Sequence, residues 1–394
     1  MSEIMDDDNI VMSSSVLPPP VFVRKDKQFT DSSRARHLWW ALPLLTIAWL
    51  AIVAILCASL VRVQYWEVAP GTASPVSNRL SFDSQALNQV TRYPAETPLL
   101  FVTAFGGQMS ALDAVIGWID SDVAVQTYKE HFGTSTPTEQ RRLGFESMTS
   151  AKQIAEFVAF NRLGLDVSMK YGKVVVEQLV CLDLPTRLSA CKQLNPGDTI
   201  TALDGEAIAT LDDLIRIVAN YVPGDVVTLS VIAHQTSEVV DKRVQLIADP
   251  DDPQRTLVGF IPADTRTVDL PFEVDIDTNR IGGPSAGLAF TLALLDELTP
   301  GDLVGGTKVA ATGTISDDES VGAIGALHQK TVAVKAAGAK VFLVPASQSE
   351  EEIASARQVA GSSLRIIPVA NLTEALNALA DLGGSGLTNA TIQL

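Results

Sequence analysis

Leu38 to Val61 is an uncharged, strongly apolar run of about 24 residues. As a helix it would measure about 36 Å, enough to cross the roughly 30 Å hydrocarbon core of a bilayer with some tilt. Trp39, Trp40, Tyr65 and Trp66 stand near its ends, where membrane interfaces favour aromatic rings. The run is too long for the apolar core of a secretory signal and begins after a long tail, so a retained anchor is expected. The competing reading, a buried core helix, is disfavoured by the length. Arg24, Lys25, Lys27, Arg34 and Arg36 precede the run and only Arg62 follows closely. An excess of basic residues marks the cytoplasmic flank. The expectation is a single-pass protein of the cell membrane, with a cytoplasmic N-terminus and everything after the helix extracytoplasmic.

Residues 1–37 read as a disordered tail. Asp6-Asp7-Asp8, Ser13-Ser14-Ser15 and Pro18-Pro19-Pro20 cannot build a core. The full chain of 394 residues has room for two or three domains, and its formal net charge is −17. No basic field is available to attract phosphates, so no nucleic acid partner is expected. Three cysteines exclude a disulfide-dense scaffold. Cys181 and Cys191 form either a disulfide closing a small loop or two buried thiols. Cys57 lies in the apolar run without a lipoprotein cleavage pattern around it.

In 68–165, Leu99 to Thr103 reads as a strand and Ser110 to Ile119 as a helix with Ser110 as cap. Thr138 to Asn161 reads as a long amphipathic helix or a helical pair. No chemistry is legible there. Leu194 to Ile208 follows a strand–turn–strand pattern around Asn195-Pro196-Gly197-Asp198 and Asp204-Gly205. Leu211 to Ala219 reads as a helix and Val226 to Ala233 as a strand. Asp249-Pro250-Asp251-Asp252-Pro253 is a linker by composition. In 255–382, Val309 to Gly313 and Val341 to Pro345 read as buried strands with helices between and after them, an α+β or α/β layer pattern. The stretch from Gly383 onward reads as a loose tail.

The chemistry gathers at Gly282-Gly283-Pro284-Ser285-Ala286-Gly287, which leads into the apolar run Leu288 to Leu298. Proline suits a first helical turn, so Ser285 is expected at a helix N-terminus, where free N–H groups and the helix dipole stabilise an oxyanion. A serine nucleophile needs a base. His37 lies at the membrane edge, and no motif surrounds His131 or His234. His328 is two residues from Lys330, and Lys330 is the better candidate. It sits among alanines and valines in Gly325 to Gly338, where burial would disfavour the charged amine. Bringing the amine near neutrality needs about 4 kcal/mol of desolvation, so a closed apolar pocket is required.

Gly283-Pro284-Ser285-Ala286-Gly287, Ala311-Thr312-Gly313, then Gly322-x-Ile324-Gly325-x-Leu327-x-x-Lys330 with Val344-Pro345 resemble, in order and spacing, the proteolytic domain of Lon proteases. The resemblance implies Ser285 as nucleophile, Lys330 as base and Thr312 as the group that orients the lysine. Two positions depart from the family: its acidic residue before Gly-Pro-Ser is Gly282 here, and the Glu of its Thr-Gly-Glu is Thr314. The 168–248 segment resembles bacterial PDZ domains, which bind extended peptides by strand addition. The 68–165 segment is similar to the stretch between anchor and PDZ domain in membrane-anchored Lon-like peptidases of Gram-positive bacteria.

The sequence thus points to a multidomain chain: an N-terminal transmembrane helix at 38–61, a mainly β PDZ domain and a C-terminal α+β Lon-type domain. The expected activity is ATP-independent serine endopeptidase cleavage of unfolded or membrane-associated proteins. Gly283 and Ser285 N–H groups are the expected oxyanion donors. No ATP-binding loop is present, since Gly305-Gly306-Thr307-Lys308 has the wrong order, and no metal or other cofactor is expected. Expected partners are protein or peptide substrates and the membrane; a homo-oligomer is left open. The alternative is a PDZ scaffold or adaptor with an inactive Lon-like domain.

Overall fold

The computed structural model describes residues 32–133, 136–181, 187–234, 236–249, 255–385 and 387. The first part of the expected tail, residues 250–253 of the expected linker, and residues 388–394 lie outside these. Two units divide the chain, Met1–Cys57 and Ala58–Leu394. Helix α1 (Ser32–Leu60), which runs from the first unit into the first residues of the second, contains the one described stretch long and apolar enough to cross a membrane, Ala41–Leu60.

A strand follows the helix almost at once. β1 (Arg62–Pro75) pairs antiparallel with β2 (Leu100–Ser110), Val68 facing Gly106 and Pro75 facing Leu100. Ser110 caps α2 (Ala111–Gly117) in a reciprocal box with Asp113, as its sequence position suggested. β3 (Ala124–Thr127) adds to the outer side of β1. α3 (Pro137–Arg162) is one unbroken helix, opened by a Thr136–Glu139 capping box with Pro137 at its start. Its buried stripe, from Leu143 and Met148 through Ala151 and Ile154 to Val158 and Ala159, follows the helical repeat.

Next come β4 (Ser168–Lys170), β5 (Val174–Leu179), β6 (Thr199–Leu203), α4 (Leu211–Val218), β7 (Val226–Ile232) and β8 (Val239–Gln245). The turn between β6 and the two-residue strand Glu206–Ala207 uses Asp204 and Gly205, both at positive φ. The sheet order is β8-β7-β6-β5-β9, where β9 is Phe260–Asp264. β10 (Thr267–Asp269) continues along β4. Residues 168–179 and 260–269 therefore run as two antiparallel strands. Pro262 is tolerated because β9 is an edge strand with an irregularity at Ile261–Pro262. Cys181 and Cys191 are joined as a disulfide across a Cα separation of 5.6 Å.

The chain then forms α5 (Gly287–Leu298), β11 (Val309–Ala311), α6 (Leu327–Ala336), β12 (Val341–Pro345), α7 (Glu350–Ala360), β13 (Arg365–Val369) and α8 (Leu372–Ala380). One sheet of order β13-β12-β11-β2-β1-β3 joins these strands to the first ones, with β11 parallel to β2 at Ala310–Leu100 and Ala311–Phe101. A single core includes Val76, Phe101 and Phe160 from one end of the chain and Phe290, Leu343 and Leu372 from the other.

Two boundaries differ from the sequence reading. The 68–165 segment does not stand apart from 255–382, because its strands complete the same sheet. The strands of 255–382 at 260–269 instead run alongside 168–179. Both differences have one cause: a strand must find partners for its backbone groups, and sequence distance does not constrain where they are.

Candidate active site

Ser285 sits two residues ahead of α5, in the turn Pro284–Ala286, rather than in the helix itself. Ala286 is the N-cap. Gly283 adopts φ +92°, which a side chain would resist, and this swings the chain into the turn. Behind it all twelve residues of α5 are buried. Gly287 lets the helix lie against the next strand: a Cβ there would stand 3.0 Å from the Ile315 backbone nitrogen.

Lys330 reaches the same place from α6. That helix starts after Ala326, held in the left-handed region at φ +60°. Lys330 is only 4% exposed, and its Nζ lies 2.9 Å from Ser285 Oγ. Burial is the sole cause that lowers its pKa from the usual 10.5 to about 8. A fair fraction of the amine is then neutral near physiological pH and able to accept the hydroxyl proton. Ser285 and Lys330 open onto a cleft of about 820 Å³ walled by Thr72, Thr103, Ala104, Phe105, Ile281 and Thr314, among others.

Residues 278–381 match the family model of the Lon protease (S16) C-terminal proteolytic domain, and residues 161–241 match the PDZ domain model. The chain joins a PDZ domain to a Lon-type proteolytic domain. Its Lon-type part is similar to the Lon protease of Neorickettsia sennetsu, 30% identical over 164 residues, which are 42% of this chain and 19% of that protein. The Lon protease of Phenylobacterium zucineum is 29% identical over 140 residues, 36% of this chain and 17% of that one. The chain thus spans about a fifth of the length of these curated relatives. The PDZ domain of an SdrC-like protein from Listeria monocytogenes is 25% identical, covers 24% of this chain and 90% of its own, and superposes with a TM-score of 0.20.

Around the Ser285–Lys330 pair, two placements differ from the sequence expectation. Thr312, fully buried, donates from Oγ1 to the Ser285 carbonyl at 3.1 Å, so it holds the serine backbone rather than the lysine. The Gly313 N–H supports the same carbonyl at 2.9 Å. The Gly283 N–H is engaged, donating to the Gly144 carbonyl of α3 at 2.7 Å, and so is not free to meet an oxyanion. Ser285 and Ala286 N–H groups have no hydrogen bond to another described residue. His328 is turned elsewhere, with Nδ1 3.0 Å from Ser355 Oγ and Nε2 3.3 Å from Asp122 Oδ1.

Both departures from the Lon pattern find a place. A Cβ on Gly282 would lie 3.1 Å from the Gly144 carbonyl carbon, so a bulkier residue there would press on α3. Thr314 lines the cleft beside Lys330. The sequence reading missed the wall contributed by 68–165, namely Gly71, Thr103, Phe105 and Gly106. Its available signal was the glycines inside a strand pattern, which mark close backbone approach. Among the described residues no group of three or more His, Cys, Asp or Glu is arranged to hold a metal ion.

Proposed function

We propose that this protein is a membrane-anchored serine endopeptidase that works without ATP through a Ser285–Lys330 dyad. The observation that carries the reading is the 2.9 Å contact between a buried, carboxylate-free lysine amine and a serine hydroxyl. Lys330 as neutral amine takes the proton of Ser285, and Oγ attacks the scissile carbonyl. The free N–H groups of Ser285 and Ala286 receive the oxyanion. Lys330 then passes its proton to the leaving amine, and water activated by the neutral amine releases the acyl-enzyme. Thr312 is a positioning residue that fixes the Ser285 carbonyl.

Substrates are unfolded, loosely structured or membrane-associated proteins, and the PDZ domain recognises a peptide or regulates the site. α1 anchors the protein with its N-terminus in the cytoplasm, on the argument of flanking charge. The test is incubation of the full chain, in detergent and without nucleotide, with a loosely folded protein. Cleavage by the wild type and none by Ser285→Ala supports the reading. Equal products from both variants would instead favour the scaffold or adaptor with an inert Lon-type domain.

A further inference from the structure

Four large apolar side chains stand outward at one place in the second unit. Val115, Ile116, Trp118 and Ile119 are 51%, 54%, 63% and 82% exposed. They belong to α2 and the turn after it. The opposite side of α2 is seated on the sheet through buried Ala114 and Gly117. A Cβ on Gly117 would come within 2.8 Å of Met109 Cε and 2.9 Å of Val125 Cγ2, so a larger residue there would have to push these side chains aside. Tyr65 packs edge-on against Trp118, with ring centroids 5.6 Å apart, which fixes the indole in its outward setting.

The position of this patch is set by a short tether. The N–H of Ala111, the first residue of α2, donates to the carbonyl of Val61 at 2.9 Å. Val61 directly follows Leu60, the last residue of the apolar span. At 1.5 Å rise per residue the patch lies within about 15 Å of the end of that span, whichever way α2 points. The headgroup layer on each side of a bilayer is roughly 5–8 Å deep. A rigid apolar patch on so short a tether stays within reach of the depth where Trp and aliphatic side chains partition.

We propose that Val115, Ile116, Trp118 and Ile119 form a second membrane contact that dips into the headgroup–acyl boundary beside the anchor. The proposal rests on the reading of α1 as a transmembrane anchor. The occupant is the apolar part of the interface rather than an anionic headgroup. Asp113, Asp120 and Asp122 surround the patch, and the nearby Arg62 guanidinium is tied to the Gln108 carbonyl at 2.9 Å. Contact should therefore be as good on neutral lipid as on acidic lipid. Two anchoring points, one spanning and one interfacial, fix the orientation of the sheet to the membrane, which a single helix end does not.

The test uses the full chain with Cys57→Ser, which removes the one free thiol among the described residues. Ile119→Cys, or Asn377→Cys as control, is labelled with an environment-sensitive fluorophore. Asn377 is exposed on α8, which packs beside β13, the edge of the sheet opposite β3, with its buried side chains in the core that includes Phe290. The proteins are reconstituted into phosphatidylcholine vesicles containing acyl-chain nitroxide lipid. Quenching of at least twofold at position 119 and none at 377 is expected, unchanged when phosphatidylglycerol is added. Equal quenching at both positions in protein that floats with the vesicles overturns the interfacial contact and leaves the anchor standing. Lipid-insensitive emission with disulfide crosslinking between chains carrying Ile119→Cys overturns it too, and assigns the patch to a second copy. Failure to float with vesicles removes the anchor itself. Retained cleavage of a soluble substrate by Ile119→Cys checks that the variant is folded.

Discussion

Two lysines, one in each domain, reach into largely buried surroundings and meet different company. Lys242 in the PDZ domain places Nζ 2.9 Å from Asp198, whose side chain is 1% exposed. Burial pushes the Asp198 carboxyl up, but the His234 N–H, the Lys242 ammonium and the Asn195 N–H outweigh it and hold its pKa below the usual value. Lys330 in the Lon-type domain has a serine hydroxyl beside it and, among the described residues, no carboxylate within ion-pair distance. A charge that meets its counter-charge stays charged and ties β8 to the turn before β6. A charge that meets only a hydroxyl loses its proton more readily and becomes a base.

The largest effect separates the two on activity. Ser285→Ala and Lys330→Ala should each lower kcat/KM by at least about a thousandfold. Lys330→Arg should fail equally, since arginine does not release its proton in the working range. Lys242→Met should leave cleavage of a short peptide within about threefold. Peptidase assays on the purified variants decide this, and full activity in Lys330→Ala would end the dyad. The wild-type rate should rise with pH around a midpoint near 8, where Lys330 loses its proton.

Stability should separate them in the opposite sense. The folded pKa of Lys330, about 8, lies below its ordinary 10.5, so between these values the unfolded chain binds more protons. Stability therefore rises with pH across that window, and below pH 8 the buried amine costs about 3 kcal/mol. Lys330→Met should then raise stability at pH 7 by up to about that amount, with the gain shrinking as pH approaches 10.5. Lys242→Met leaves the Asp198 carboxylate buried without its cation and should lower stability by about 2 kcal/mol. Denaturant titrations at pH 7 and pH 10 measure both signs.

Smaller effects sharpen the picture around the serine. Thr312→Val keeps the buried shape but removes the donor to the Ser285 carbonyl, for a loss of roughly tenfold in kcat with KM little changed. His328→Ala should change kcat/KM by less than about threefold, because its ring faces Ser355 and Asp122. A collapse in that variant would make His328 the base in place of Lys330.

The parts of the site that were legible in the sequence are those whose chemistry is local. Gly283, Pro284 and Ser285 form a turn by their own backbone preferences, and the apolar run after them has to be a buried helix. Ser110 and Leu211 to Ala219 were readable for the same reason, since caps and periodicity act within a few residues. The partner of Thr312 was not readable, because a buried hydroxyl takes whichever acceptor the fold presents. Nor was the role of Gly144, whose carbonyl meets Gly283 only after α3 has packed. The strands of 68–165 carried a strand pattern without an address, and β11 supplied it from two hundred residues away.

The PDZ domain interrupts the Lon-type sheet, and this has a consequence for the order of events during synthesis. β1 and β2 leave the ribosome long before β11, which must flank β2, and before β12 and β13, which extend the sheet beyond it. The PDZ sheet draws on contacts within 174–264 and can close while the outer sheet still waits. The late step is then a long-range pairing of Leu100 and Phe101 with Ala310 and Ala311, the kind of contact that slows folding. Until it forms, the apolar face of β2 is open to wrong partners, and the nascent chain is at its most exposed to aggregation.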